Sequence, residues 1–355
     1  MSTQFSRRAF LSGLTAAGAV ALVPDVLKAA QARGAAAAPS SRRVVDTHYH
    51  YASPKYSEVL RPMGTGQTGI IEWNLQKAVE EMDKWGVATS IGSISEPGVH
   101  FGDDAQARAL ARDCNDFGAK MMADYPGRFG LFAILPLPDV DGSLKEIEYA
   151  YDTLKADGIC FMSSYPGFSK YKGNKYLGDP MFTPVMEELN RRKAICYTHP
   201  FRAEPLYNIL PDRHAMGIVL ATDTTITIES VLYTNTATRF PDITFIWSHG
   251  GGTMPYITSR FGAGTGADGK PNETLQTIQR FYYDTAQAYN QFTLEGFTKL
   301  IPNSHIFFGS DYLGNAGSAG TVIRGLDAYT GFTAQQRQAV YRDNALKLFP
   351  RFAKA

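Results

Sequence analysis

Eight short apolar runs, separated by amphipathic stretches, follow one another from residue 44 onward, and this alternation constrains the fold more than any other feature. The runs are Val44–Asp46, Ala88–Ile94, Phe129–Leu135, Gly158–Met162, Ala194–Thr198, Thr244–Trp247, Phe281–Thr285 and His305–Gly309. Each is apolar on both faces, the pattern of a strand covered on both sides. Between them Leu75–Trp85, Asp104–Tyr125, Leu144–Ala156, Pro180–Arg192 and Ile226–Phe240 carry apolar residues at helical spacing. Asp179-Pro180 and Thr183-Pro184 mark helix starts. Strand and helix in alternation imply a parallel sheet. Eight such units imply a distorted (β/α)8 TIM barrel rather than an open doubly wound sheet. Long connections follow strand 1 (Tyr51–Asn74), strand 4 (Ser163–Gly178) and strand 5 (Phe201–Thr224). All three leave C-terminal strand ends, the face on which barrels carry their sites, and all are rich in Gly, Pro and aromatic residues.

Residues 1–40 read differently. Ser6-Arg7-Arg8-Ala9-Phe10-Leu11 is a twin-arginine pattern, and an apolar run from Ala9 to Val23 follows it. A bilayer span takes roughly 20 residues, so that run is too short to serve as one. Ala30-Gln31-Ala32 offers a small-x-small cleavage site. We read residues 1–40 as a Tat signal peptide and leader, and 41–355 as one barrel domain. The expectation is export to the periplasm, with no membrane attachment after cleavage. Lys and Arg total 35 against 34 for Asp and Glu, a net charge of +1, which gives no support for a polyanion-binding surface, so no nucleic-acid partner is expected. Three widely spaced cysteines, Cys114, Cys160 and Cys196, make neither a disulfide scaffold nor a Cys-x-x-Cys metal site.

Polar residues gather where strands end. In Asp46-Thr47-His48-Tyr49-His50 the two histidines are two residues apart, so on a strand both face the same side and can share one metal ion. His199 ends strand 5, His249 ends strand 6 and Asp311 ends strand 8, each directly after an apolar run. All would project into the mouth of the barrel. Imidazole nitrogens with a carboxylate oxygen suit Zn²⁺, and also Mn²⁺ or Fe²⁺. His100 and His214 lie in loops and His305 starts strand 8, so these read as structural or solvated, with His214 a candidate lid residue.

Taken in order, these motifs resemble the amidohydrolase superfamily over about residues 44–350. The resemblance is to the amidohydrolase-related branch that holds aminocarboxymuconate-semialdehyde decarboxylase and the γ-resorcylate, 5-carboxyvanillate and 6-methylsalicylate decarboxylases. It rests on the strand 1 His-x-His, Thr198-His199-Pro200, and Phe240-Pro241-Asp242 leading to Ser248-His249-Gly250-Gly251-Gly252. Tyr283-Asp284-Thr285, Gly309-Ser310-Asp311 and Asn344-Ala345-Leu346-Lys347-Leu348-Phe349 complete it. The resemblance implies that His48, His50, His199 and Asp311 bind one divalent metal, with Zn²⁺ expected and Mn²⁺ the alternative. It implies that His249 stays off the metal as an acid/base or electrostatic residue. Some relatives have Glu in place of the first His, whereas this chain keeps His48. Binuclear relatives carry a bridging Lys on strand 4. Here that strand is Gly158-Ile159-Cys160-Phe161-Met162, and Lys170, Lys172 and Lys175 lie further on. One metal is therefore expected.

The implied activity is nonoxidative decarboxylation of a small hydroxylated aromatic or related unsaturated acid, with His249 and Asp311 catalytic. The proton for the ring carbon comes from Asp311, or from an acid assisted by His249. A second route starts with an activated water whose proton His249 takes. The alternative function is a metal-dependent hydrolase or hydratase using the same residues, and a third is a non-catalytic ligand-binding protein. For the substrate, Arg202, Arg260 and Arg61 are candidate cations, and Trp73, Phe201, Tyr49 and Tyr312 are candidate pocket walls. Relatives in the branch commonly form homodimers and place an arginine at about the position of Arg260, on the helix after strand 6, which in some of them reaches into a neighbour's pocket; a homodimer is expected here.

Overall fold

β1 spans Val44–His50, and every residue in it is buried. The computed structural model describes residues 42–64, 68–167, 173–202, 216–313 and 319–355. The leader, Lys170, Lys172 and His214 lie outside the described residues. The remaining barrel strands are β2 (Val87–Ser93), β3 (Phe129–Ile134), β4 (Gly158–Met162), β5 (Ile195–His199), β6 (Thr244–Trp247), β7 (Tyr282–Asp284) and β8 (Ile306–Phe307). They pair in chain order, each parallel to its neighbour. The segment after β8 then returns to β1. Thr47 N donates to Phe308 O at 3.0 Å, and Asp311 N donates to His48 O at 2.9 Å. These bonds bring the last strand end against the first and close the (β/α)8 barrel.

The helical layer is α1 (Leu75–Trp85), α2 (Asp104–Asp124), α3 (Val140–Glu148), α4 (Thr183–Arg191), α5 (Met216–Tyr233), α6 (Glu273–Arg280), α7 (Gln291–Leu300) and α8 (Ala319–Ala328). Local chemistry sets many ends. Asn74 accepts from Lys77 N to start α1, and Gly86, at φ +69°, ends it one residue before β2. No described helix is long and apolar enough to cross a membrane.

Two helices differ from their sequence reading. α3 begins at Val140, not Leu144, because Asp139 caps it by accepting from Gly142 N. α5 begins at Met216, ten residues before Ile226. Its threonines resemble a loop, but Thr224 and Thr225 hydroxyls bond back to the carbonyls of Leu220 and Ala221 and so stay in the helix. Asp223, beside them, is buried and accepts from Ser164 and Tyr176 as well as Ser163, pinning α5 to the connection after β4.

Candidate metal centre

The period of β1 separates its side chains by function. His48 and His50 face one way, with ring centroids 5.0 Å apart. Tyr49, between them, faces the other way and stacks on Tyr312 at 5.0 Å. His199, at the end of β5, brings its ring to 4.5 Å from His50. Asp311, just past β8, places Oδ1 3.3 Å from Nε2 of both His48 and His50. One ligand atom from each of His48, His50, His199 and Asp311 lies within 4.8 Å of the others, and all four residues are buried. Among the described residues this is the one such cluster.

The surrounding bonds aim the ring nitrogens. His48 Nδ1–H donates to Asp284 Oδ2 at 2.8 Å, and His199 Nδ1–H donates to Pro200 O at 2.9 Å. His50 Nδ1 is 3.2 Å from the hydroxyl of Ser93. Each ring is thus tied on the Nδ1 side, which leaves Nε2 as the donor to a metal. Charge follows the same logic. Burial pulls the His48 pKa down, but Asp284 and Asp311 outweigh it and push it up to about 10. Burial, reinforced by the neighbouring histidines, holds His199 well below its ordinary value. Burial would raise Asp311, yet His48 and hydrogen bonds from His249 and His50 hold it well below. The ionised Asp311 carboxylate beside His50 and His199, both of which burial holds toward the neutral form, favours a cation, and nitrogen with oxygen donors fits a divalent transition metal.

Above the cluster, Asp311 Oδ2 receives Gln287 Nε2 at 2.7 Å and lies 3.4 Å from His249 Nε2. His249, Gln287 and Asp311 all have φ between +53° and +54°. Non-glycine residues seldom adopt that left-handed conformation, and three converging on one carboxylate mark a site where strain is tolerated for position. His249 is held there partly by its own N–H, which donates to Asp284 Oδ1 at 2.9 Å. A cavity of about 320 Å³ opens over these groups. Glu96, Leu220, Tyr256 and Leu313 are among its other walls.

The structure brings His48, His50, His199, His249 and Asp311 together. It does not bring the other candidates into the cavity wall. Trp73 packs on Phe117 and Tyr51 under the helical layer, with centroids at 5.8 and 6.5 Å. Phe201 is buried in a separate small apolar recess with Pro97 and Tyr165. Arg202 pairs with Glu96. Arg260 is exposed on a short 3-10 turn, Thr258–Phe261, rather than on a long helix, and Arg61 is exposed on another. His100 pairs with Asp104 at 3.0 Å, and His305 packs against the Tyr282 ring at 4.4 Å, at the start of β8 and away from the cluster.

Sequence reasoning assigned no role to Asp284, Gln287 or Glu96. Asp284 obeys the same strand-end rule that singled out Asp311 and was legible by it. Gln287 and Glu96 stand three residues past their strands, where no periodicity predicts direction.

A parallel barrel with a buried three-histidine, one-aspartate cluster at its C-terminal mouth defines a metal-dependent barrel protein. The chain belongs to the amidohydrolase family, whose Amidohydro_2 model (Amidohydrolase) matches residues 45–351. It is 32% identical over 329 residues to the 6-methylsalicylic acid decarboxylase of Penicillium expansum, covering 86% of this chain and 96% of that protein. It is 31% identical over 333 residues to the 6-methylsalicylic acid decarboxylase of Aspergillus aculeatus, covering 88% and 97%. Among solved structures, the dihydroxybenzoic acid decarboxylase of Polaromonas sp. JS666, which holds manganese and the inhibitor 2-nitroresorcinol, shares the fold. Its TM-score is 0.75 at 20% identity, with 86% and 96% of the two chains covered.

Proposed function

We propose that this protein is a metal-dependent, nonoxidative decarboxylase of a small ortho-hydroxylated aromatic acid. The observation that carries the reading is the divided Asp311 carboxylate. One oxygen faces His48 and His50, and the other faces His249 and Gln287, at the base of a cavity sized for a small ring. The near full-length similarity to salicylate-type decarboxylases supports it.

His48, His50, His199 and Asp311 would hold a divalent ion, which when bound would supply Lewis-acid withdrawal of charge from the substrate. His249 holds a proton at Nε2 beside Asp311 Oδ2 and delivers it to the ring carbon that bears the carboxylate. The carbon–carbon electron pair then passes into the ring, CO2 leaves, and aromaticity returns with hydrogen in its place. Gln287, by donating to Oδ2, keeps the Asp311 carboxylate from turning.

The finer reading is one ion per chain, Zn²⁺ before Mn²⁺, on the ground that three imidazoles and one carboxylate make a small nitrogen-rich set. It also includes a Tat-exported, periplasmic protein and a homodimer. In that dimer, exposed Arg260 is free to approach a partner's cavity. Mixing inactive Arg260→Ala and His249→Asn subunits then regenerates activity, and demonstrated subunit exchange without recovery removes the shared site.

The deciding experiment is stoichiometric CO2 release from 6-methylsalicylate, other salicylates, resorcylates and vanillate-type acids, after loading with Zn²⁺ or Mn²⁺. Metal-loaded protein that releases no CO2 from any of them overturns the proposal, and water addition without CO2 release replaces it with a hydratase. Elemental analysis giving two metals per chain overturns the single-ion reading.

A further inference from the structure

Ser163 directly follows β4 and bonds the chain on both sides of Pro200. Its backbone nitrogen donates to His199 O at 2.8 Å, and its Oγ accepts from Phe201 N at 2.7 Å. Pro200 has no N–H of its own to anchor it, so these two bonds do that work. The Phe201 N–H and the Pro200 carbonyl belong to one planar peptide unit. That carbonyl receives the Nδ1–H of His199 at 2.9 Å. Glu96 N also approaches this Nδ1, at 3.3 Å. With Nε2 left for a metal, however, the proton sits on Nδ1 and the Pro200 carbonyl is its acceptor. Whatever sets the tilt of this peptide therefore sets the direction of the His199 ring.

A serine hydroxyl has one proton to give. Ser163 gives it to Asp223 Oδ2, which leaves its lone pairs for the Phe201 N–H. Asp223 lies on α5 and is wholly buried. It is held in turn by Ser164 Oγ at 2.9 Å and the Tyr176 hydroxyl at 3.1 Å. We propose that Asp223 and Ser163 are positioning residues for the metal centre. The carboxylate fixes the serine hydroxyl, the hydroxyl fixes the Pro200–Phe201 peptide, and the peptide aims the His199 imidazole. α5 also supplies Leu220 and Ala221 to the cavity wall, so one helix supports both the wall and the ligand. The inference rests on the metal centre that the proposed reaction uses, and it adds residues from outside the ligand set.

Ser163→Ala and Ser164→Ala separate positioning from packing. Each removes one buried hydroxyl bonded to the same carboxylate oxygen, but only Ser163 also holds the Phe201 N–H. Chelator competition should show Zn²⁺ bound about 10-fold more weakly in Ser163→Ala and within about 2-fold of wild type in Ser164→Ala. Asp223→Ala should follow Ser163→Ala. Asp223→Asn should stay near wild type, because its carbonyl oxygen can still accept from both serines while its amide donates to Tyr176. With Co²⁺ in place of Zn²⁺, the visible absorption bands report the ligand field. They should shift in Ser163→Ala and Asp223→Ala and stay in place in Ser164→Ala. Wild-type affinity and an unshifted cobalt spectrum in folded Ser163→Ala overturn the relay, and so does an equal loss in Ser164→Ala. The serine comparison decides even where Asp223→Ala does not fold. No turnover enters these measurements, so absence of CO2 release would remove the decarboxylase reading alone. A wild type that binds no divalent ion would remove both.

Discussion

Asp284 Oδ2 stands 2.8 Å from Nδ1 of His48, and both side chains are wholly buried. The same carboxylate accepts at Oδ1 from the backbone of His249 at 2.9 Å and of Ala286 at 3.0 Å. One side chain of β7 thus sets the tautomer of a candidate metal ligand and the backbone of the proposed acid together.

Asp284→Asn should therefore weaken metal binding by roughly 10–100-fold, since a partner of this kind orients its histidine and raises its basicity. Competition with a chelator measures it. Wild-type metal affinity in the variant would mean that His48 is oriented by other contacts.

His249 and His199 should separate in their effects. His199→Ala loses metal and activity together. His249→Asn keeps the metal and loses turnover by about 10²-fold or more. Metal content by elemental analysis, set beside kcat, distinguishes them, and metal loss in His249→Asn would make that residue a ligand.

Gly309 is required by close approach. A Cβ built there would lie 2.7 Å from the Cβ of His48 and 2.9 Å from that of Asp284. Gly309→Ala should cost about 1–3 kcal/mol of stability by overpacking and also weaken metal binding, because it pushes the His48–Asp284 pair apart. Chemical denaturation and metal titration read the two effects, and wild-type values in both would show that the strands yield without cost.

Changing Arg7 and Arg8 together to Lys should keep the precursor in the cytoplasm. Cell fractionation shows where it goes, and normal export of the double variant would refute a twin-arginine route.

Local pattern carried a large part of this molecule. The two-residue period of a strand is enough to place His48 and His50 on one side and Tyr49 on the other, and the buried runs of both-face apolar residues are enough to order eight parallel strands. It was less able to place Trp73 and Phe201. An aromatic residue in a loop serves a pocket wall or the packing under a helix equally well in sequence, and here both pack away from the cavity. Arg202 shows the same limit for charge, since its partner Glu96 lies 106 positions away along the chain.

The sequence by itself determined that residues of metal-ligating type stand at strand ends, because that follows from residue type and strand period. Only the tertiary structure decided how they are used. Barrel closure sets β8 against β1, and that contact alone brings Asp311 to His48 and His50. It also turns Asp284 onto His48 and lays Gln287 on Asp311. The physical reason is that direction past a strand end is set by long-range hydrogen bonds and by left-handed backbone turns, neither of which leaves a periodic mark in the chain.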